Sequence, residues 1–88
     1  MNRPQLVNDV KIKCNSCNQE LTFERPEYNR TTNKETKNTT HIYSFLGTCK
    51  CGSIFDYVVK IIVDPEGKRI DTIHQLPEGF IFVRHPEF

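Results

Sequence analysis

Four cysteines in two close pairs constrain this chain more than any other feature of its sequence. Two residues, Asn15-Ser16, separate Cys14 from Cys17, and Lys50 alone separates Cys49 from Cys51. A pair at either spacing fits on one tight turn. Two such turns facing each other offer four thiolates to a single tetrahedral ion. Four cysteines have other uses: two disulfides, ordinary buried thiols, or a redox or iron site. Disulfides need an oxidising compartment, and the opening Met1-Asn2-Arg3-Pro4-Gln5 leads into no apolar secretory segment. A thioredoxin-like Cys-x-x-Cys opens a helix, whereas Asn18 to Phe23 reads as extended. The spacing therefore points first to one structural metal ion, with zinc ahead of iron, held by Cys14, Cys17, Cys49 and Cys51.

The flanks of each pair support this reading. Val10-Lys11-Ile12-Lys13-Cys14 alternates apolar and polar, and Leu21 and Phe23 alternate again after Cys17. The second pair lies between His41-Ile42-Tyr43-Ser44-Phe45-Leu46 and Ser53-Ile54-Phe55-Asp56-Tyr57-Val58-Val59. Gly52 permits a left-handed backbone immediately after Cys51. Two cysteine-bearing hairpins of this kind resemble the zinc-ribbon superfamily. The resemblance covers the four cysteines, Gly52 and the adjoining strands, and it implies a structural zinc. The usual ribbon has two residues between the cysteines of both pairs, and here the second pair has one. Cys51-Gly52 through Phe55 is also similar to one half of the small zinc finger of diphthamide-biosynthesis accessory proteins, with the order of the pairs reversed.

A structural metal suits the size of the chain. At 88 residues, 36% of them hydrophobic and none of them Trp, it makes one domain that buries roughly 60–65% of its unfolded surface. Structural zinc sites contribute about 10–16 kcal/mol of apparent binding energy, comparable to a whole domain's stability. The metal-free chain is accordingly expected to be largely unfolded or molten.

In order, residues 1–9 read as a flexible N-terminal arm, and residues 10–88 as a single zinc-ribbon-like β domain. A polar loop is expected at about 26–40, where Asn and Thr repeat without aliphatic residues. The best-defined hairpin follows, His41–Thr48 with Ile54–Val63. Phe55, Tyr57, Val59, Ile61 and Val63 share its core side. Asp64-Pro65-Glu66-Gly67 is a turn leading to a strand near Arg69–His74, where Ile70 and Ile73 break the alternation and imply a bulge or helical turn. Leu76-Pro77-Glu78-Gly79 marks another turn before Phe80–Val83. No stretch has the pattern of a long amphipathic helix. The expected fold is mostly β, a small antiparallel zinc-ribbon-like domain with a C-terminal β-meander.

For function, the sequence excludes more than it selects. His41, His74 and His85 sit in no hydrolase motif and read as surface histidines, although any of them could replace one cysteine as a ligand. The four glycines form no phosphate-cradling loop, and four thiolates would close the metal shell. No enzyme is expected. A net charge of +1 gives no basic stripe for nucleic acid, although Lys11, Lys13, Lys50, Lys68 and Arg69 with Tyr28, Tyr43 and Phe45 keep a nucleic-acid-binding ribbon as the alternative. No stretch is long enough to span a membrane. The expectation is a cytoplasmic zinc module that binds another protein as an adaptor or regulator. Homodimerisation through the terminal strand Phe80–Val83 is a further expectation, and a redox or iron electron carrier is the third class.

Overall fold

A computed structural model describes residues 4–75 and 78–88. Among them are seven strands and no helix: β1 (Val10–Cys14), β2 (Glu20–Phe23), β3 (Glu27–Thr32), β4 (Thr39–Thr48), β5 (Ile54–Val63), β6 (Arg69–Gln75) and β7 (Phe80–Arg84). They form two antiparallel sheets, ordered β2-β1-β7 and β3-β4-β5-β6.

The β4–β5 hairpin is the spine. Its ten residue pairs run unbroken from Thr39↔Val63 to Thr48↔Ile54. On β5 the side chains alternate as the sequence predicts. Phe55, Tyr57, Val59 and Ile61 are fully buried and Val63 nearly so. On β4 the matching inward residues are His41, Tyr43 and Phe45. The three-stranded sheet covers the cysteine end of this face. Phe23 of β2 stacks on Phe55 at 5.3 Å and meets Phe45 edge-on at 5.9 Å. From β7, Phe80 meets Phe55 and Phe82 meets Tyr57, both edge-on. Val10 and Ile12 of β1 complete the layer with no exposed surface. Fully burying an aliphatic or aromatic side chain contributes about 1.5–3 kcal/mol, so this small aromatic-rich layer is the core.

Gly47 of β4 lies directly under the Phe23 ring of β2. A Cβ at this position would lie 3.1 Å from Phe23 Cζ and 3.6 Å from Leu21 Cδ1. The absence of a side chain at Gly47 is therefore what lets the ring of Phe23 lie over the hairpin.

Four expectations need correction or refinement. First, the Asn/Thr-rich stretch is not a loop over 26–40. Residues 27–32 form β3, paired with β4 from Glu27↔Ser44 to Thr32↔Thr39. Only residues 33–38 make the connection, where Asn33 Oδ1 accepts from the backbone N–H groups of Glu35 and Thr36. Second, the described part of the N-terminal arm is tied to the C-terminal tail. Val7 N–H donates to the Glu87 carbonyl at 2.7 Å, and Asn8 Nδ2 donates to the His85 carbonyl at 3.0 Å. Arg84 pairs with Asp9. Met1–Arg3 lie outside the described residues.

Third, His41 is not a surface residue. It is 3% exposed, and its Nδ1 is hydrogen-bonded to Tyr28 Oη at 2.7 Å. Fourth, the meander runs β3 to β6, and β7 leaves it to pair with β1. The break in alternation near Ile70 is a bulge: Ile62 pairs with Asp71 and Val63 with Arg69, so Ile70 is the extra residue. The turn into β6 forms as expected, with Gly67 at φ +88° and Asp64 Oδ1 accepting from Glu66 and Lys68. Leu76 and Pro77 of the next expected turn lie outside the described residues, while Gly79 takes φ +89°.

Candidate metal centre

Both cysteine pairs sit on knuckles at one end of the sandwich. Cys14 is the last residue of β1, and Cys17 lies in the turn between β1 and β2. Cys49 and Cys51 occupy the turn between β4 and β5. The knuckles close alike despite their different spacing. In the first, Asn18 N–H donates to the Cys14 carbonyl and Cys14 N–H to Gln19. In the second, Gly52 N–H donates to the Cys49 carbonyl and Cys49 N–H to Ser53. The residue after the second cysteine is left-handed in both, Asn18 at φ +60° and Gly52 at φ +87°. Glycine adopts that region freely, and asparagine is among the few other residues that visit it.

Side-chain and backbone bonds join the knuckles to each other and to the sheet. Gln19 Oε1 accepts from the Lys50 backbone N–H at 2.5 Å. Asn15 N–H donates to the Gly79 carbonyl, just ahead of β7. Cys14 pairs with Phe80 in the β1–β7 ladder. The cysteine end is thus tied to all three strands of the smaller sheet.

The four sulfurs converge. All lie within 4.8 Å of one another. Cys49 Sγ is 3.0 Å from Cys51 Sγ and 3.5 Å from Cys14 Sγ, and Cys14 Sγ is 3.7 Å from Cys51 Sγ. A tetrahedral zinc with Zn–S bonds of about 2.3 Å holds its sulfurs about 3.8 Å apart, so a small inward or outward adjustment fits the cluster to one ion. All four are free thiols. Cys14 and Cys49 are buried, Cys17 is half-buried and Cys51 is exposed.

Electrostatics push the thiols apart in acidity. A hydrogen bond with Cys49, then one with Ser53 Oγ at 3.2 Å, lowers Cys51 to about 6. The same bond with Cys51, then burial, raises Cys49 to about 11. The backbone N–H of Cys17, followed by that of Ser16, lowers Cys14 despite its burial. Cys51 is therefore the most acidic thiol of the cluster, and Cys14 is shifted in the same direction. Four thiolates this close would repel one another, so the cluster could hold all four only around a cation.

The structure brings together the four cysteines that the sequence paired, and Gly52 takes the left-handed backbone its residue type permits. Sequence reasoning missed three residues that shape the site. Asn18 supplies the second left-handed position, Gln19 bridges the knuckles, and Ser53 faces the Cys51 sulfur. An Asn directly after Cys17 was the one readable signal among them. The histidines lie elsewhere: His41 on Tyr28, His74 with its Nδ1 2.5 Å from Tyr57 Oη, and His85 against Phe82. None joins the sulfur cluster. Among the described residues no helix is long and apolar enough to cross a membrane.

Compared with known protein families, curated proteins and solved structures, the chain shows no match. The sulfur cluster and the two-sheet fold therefore carry the functional argument.

Proposed function

We propose that this chain is a small non-catalytic zinc module that acts as a protein-binding adaptor or regulator in the cytoplasm. The convergence of all four cysteines within 4.8 Å carries the reading. Four thiolates fill a zinc ion's tetrahedral shell and leave no position for water or substrate, which is the form of a structural site. Free thiols with that role belong in a reducing compartment.

Support for a protein partner comes from the outward face of the β4–β5 hairpin beside the second knuckle. Leu46 is 69% exposed and Ile54 is 64% exposed. Because Leu46 pairs with Asp56 and Thr48 with Ile54, the two apolar side chains are diagonal neighbours on one face.

Cobalt substitution tests the metal half of this reading. Co²⁺ added to the reduced protein is expected to give the intense visible bands of a tetrahedral thiolate site, displaced by one equivalent of Zn²⁺. Loss of those bands in Cys51→Ser is also expected, and their persistence would exclude Cys51 as a ligand. Visible absorption of the protein as purified would instead assign iron. The partner half is tested with a Leu46→Lys/Ile54→Lys variant. It should keep the metal and lose a stoichiometric protein partner that the parent retains, and recovery of nucleic acid alone would overturn this half.

A further inference from the structure

The larger sheet ends on β6, which has no strand on its other side among the described residues. An edge strand presents backbone N–H and C=O groups that another extended chain satisfies. On β6 the Thr72 N–H donates to Asp71 Oδ1 at 2.8 Å, and strand pairing would replace that local bond and free the carboxylate for Gln75 of the second copy. Beyond its bulge at Ile70, β6 offers a regular run, Asp71-Thr72-Ile73-His74-Gln75, paired with β5 without a shift. We propose that this run pairs antiparallel with the same run of a second copy, about a two-fold axis at Ile73. The two larger sheets then become one continuous eight-stranded sheet.

The sequence of the run is what selects a second copy. With Ile73 on the axis, Ile73 meets Ile73 of the other copy. Asp71 meets Gln75 twice, each time a carboxylate against an amide donor. Thr72 meets His74 twice, each time a hydroxyl against an imidazole. No like charges are opposed, although opposing like charges is a usual way to block edge pairing. Ile73 is 38% exposed on the outward face, in a row with Lys60 and Ile42. Pairing extends that row across the axis and covers the isoleucine.

The other edges fit self-pairing less well. In β7, Ile12 pairs with Phe82 and Lys11 with Arg84, so Val83 is an extra residue inside the five-residue strand. That bulge leaves only Phe80–Phe82 regular, and it shifts the expected homodimer edge from β7 to β6. β2 is only four residues long. β3 carries no aliphatic side chain to bury.

A five-residue strand pair buries less than the roughly 1,200 Å² of a stable interface, so the association is weak, with Kd about 0.1–1 mM. Sedimentation velocity of the metal-loaded chain from about 10 μM to about 1 mM measures it. Two variants assign the edge. Ile73→Glu places two carboxylates on the axis while giving each monomer a cross-strand partner for Lys60, and should weaken association at least about tenfold. Gln75→Lys sets two ammonium groups against the two Asp71 carboxylates, and should tighten it about two- to thirtyfold at low salt. Circular dichroism and metal content of each variant report that the monomer is intact.

A parent that stays monomeric at about 1 mM overturns the proposal. So does an association unaffected by Ile73→Glu and lost on Val83→Lys, which would place it on β7, or one that needs a different protein. None of these results bears on metal binding, so failure here and failure of the zinc reading are separable.

Discussion

Replacing Gly47 by Ala tests the contact between the β4–β5 hairpin and Phe23 of the smaller sheet. The new Cβ would stand 3.1 Å from Phe23 Cζ, 3.3 Å from Phe23 Cε1 and 3.6 Å from Leu21 Cδ1. The first two contacts are too short, and Phe23 is hemmed by Phe55 on its face and Phe45 at its edge. Overpacking of this kind costs about 1–3 kcal/mol. Against it, Ala restricts the unfolded chain and returns about 0.4–1 kcal/mol. The net expectation is a loss of about 0.5–2 kcal/mol, or several degrees in Tm for a domain this size. Phe23→Leu removes the two ring atoms that clash. In that background Gly47→Ala should become neutral or stabilising by up to about 1 kcal/mol. Urea unfolding at fixed free metal concentration reads all four proteins of the cycle. The reasoning fails if Gly47→Ala stabilises the parent, or costs the same with and without the Phe23 ring.

Two further outcomes follow from the structure. Burial raises Tyr57 from 10.0 to about 12. The folded state therefore holds a proton that the unfolded state releases, so the contribution is complete below pH 10 and is lost as the pH rises through 12. Tyr57→Phe should flatten the stability profile between about pH 10 and 12 relative to the parent, and parallel profiles would refute the assignment. At the site, Asn18 holds φ +60°, which costs a residue without its local hydrogen-bonding ability about 1–2 kcal/mol. Asn18→Ala should weaken metal affinity about five- to thirtyfold in a competition with a chromophoric chelator, and Asn18→Gly should not. Equal losses would place the role of Asn18 in its side chain.

The parts of the fold that were legible were those in which one face meets the core. β5 announces itself because every second residue from Phe55 to Val63 is apolar and buried. The knuckles were legible because four cysteines in two close pairs suit one shared site and because Gly52 follows Cys51. β3 was not legible, because it is an edge strand whose residues, Tyr28 apart, are exposed. Nothing apolar alternates in Asn29-Arg30-Thr31-Thr32, and the strand is held by its ladder to β4. His41 is buried beside Tyr28, its diagonal neighbour across the β3–β4 ladder, which local pattern cannot supply. The departure of β7 to β1 is a long-range choice. It is carried by Phe80 and Phe82 reaching Phe55 and Tyr57, and no nearby residue encodes it. Gln19 and Ser53 were invisible for the same reason, since their partners Lys50 and Cys51 matter only once the knuckles have met.

The central claim is that one zinc ion holds Cys14, Cys17, Cys49 and Cys51 together. The most direct measurement is a native mass spectrum of protein purified without added metal, set beside the acid-denatured spectrum with a thiol count. The account predicts a native excess of one zinc that disappears on denaturation and leaves four free thiols. A metal-free native mass, with the denatured chain about four mass units light and no free thiol, would mean two disulfides. That result would contradict both the metal centre and the reading built on it.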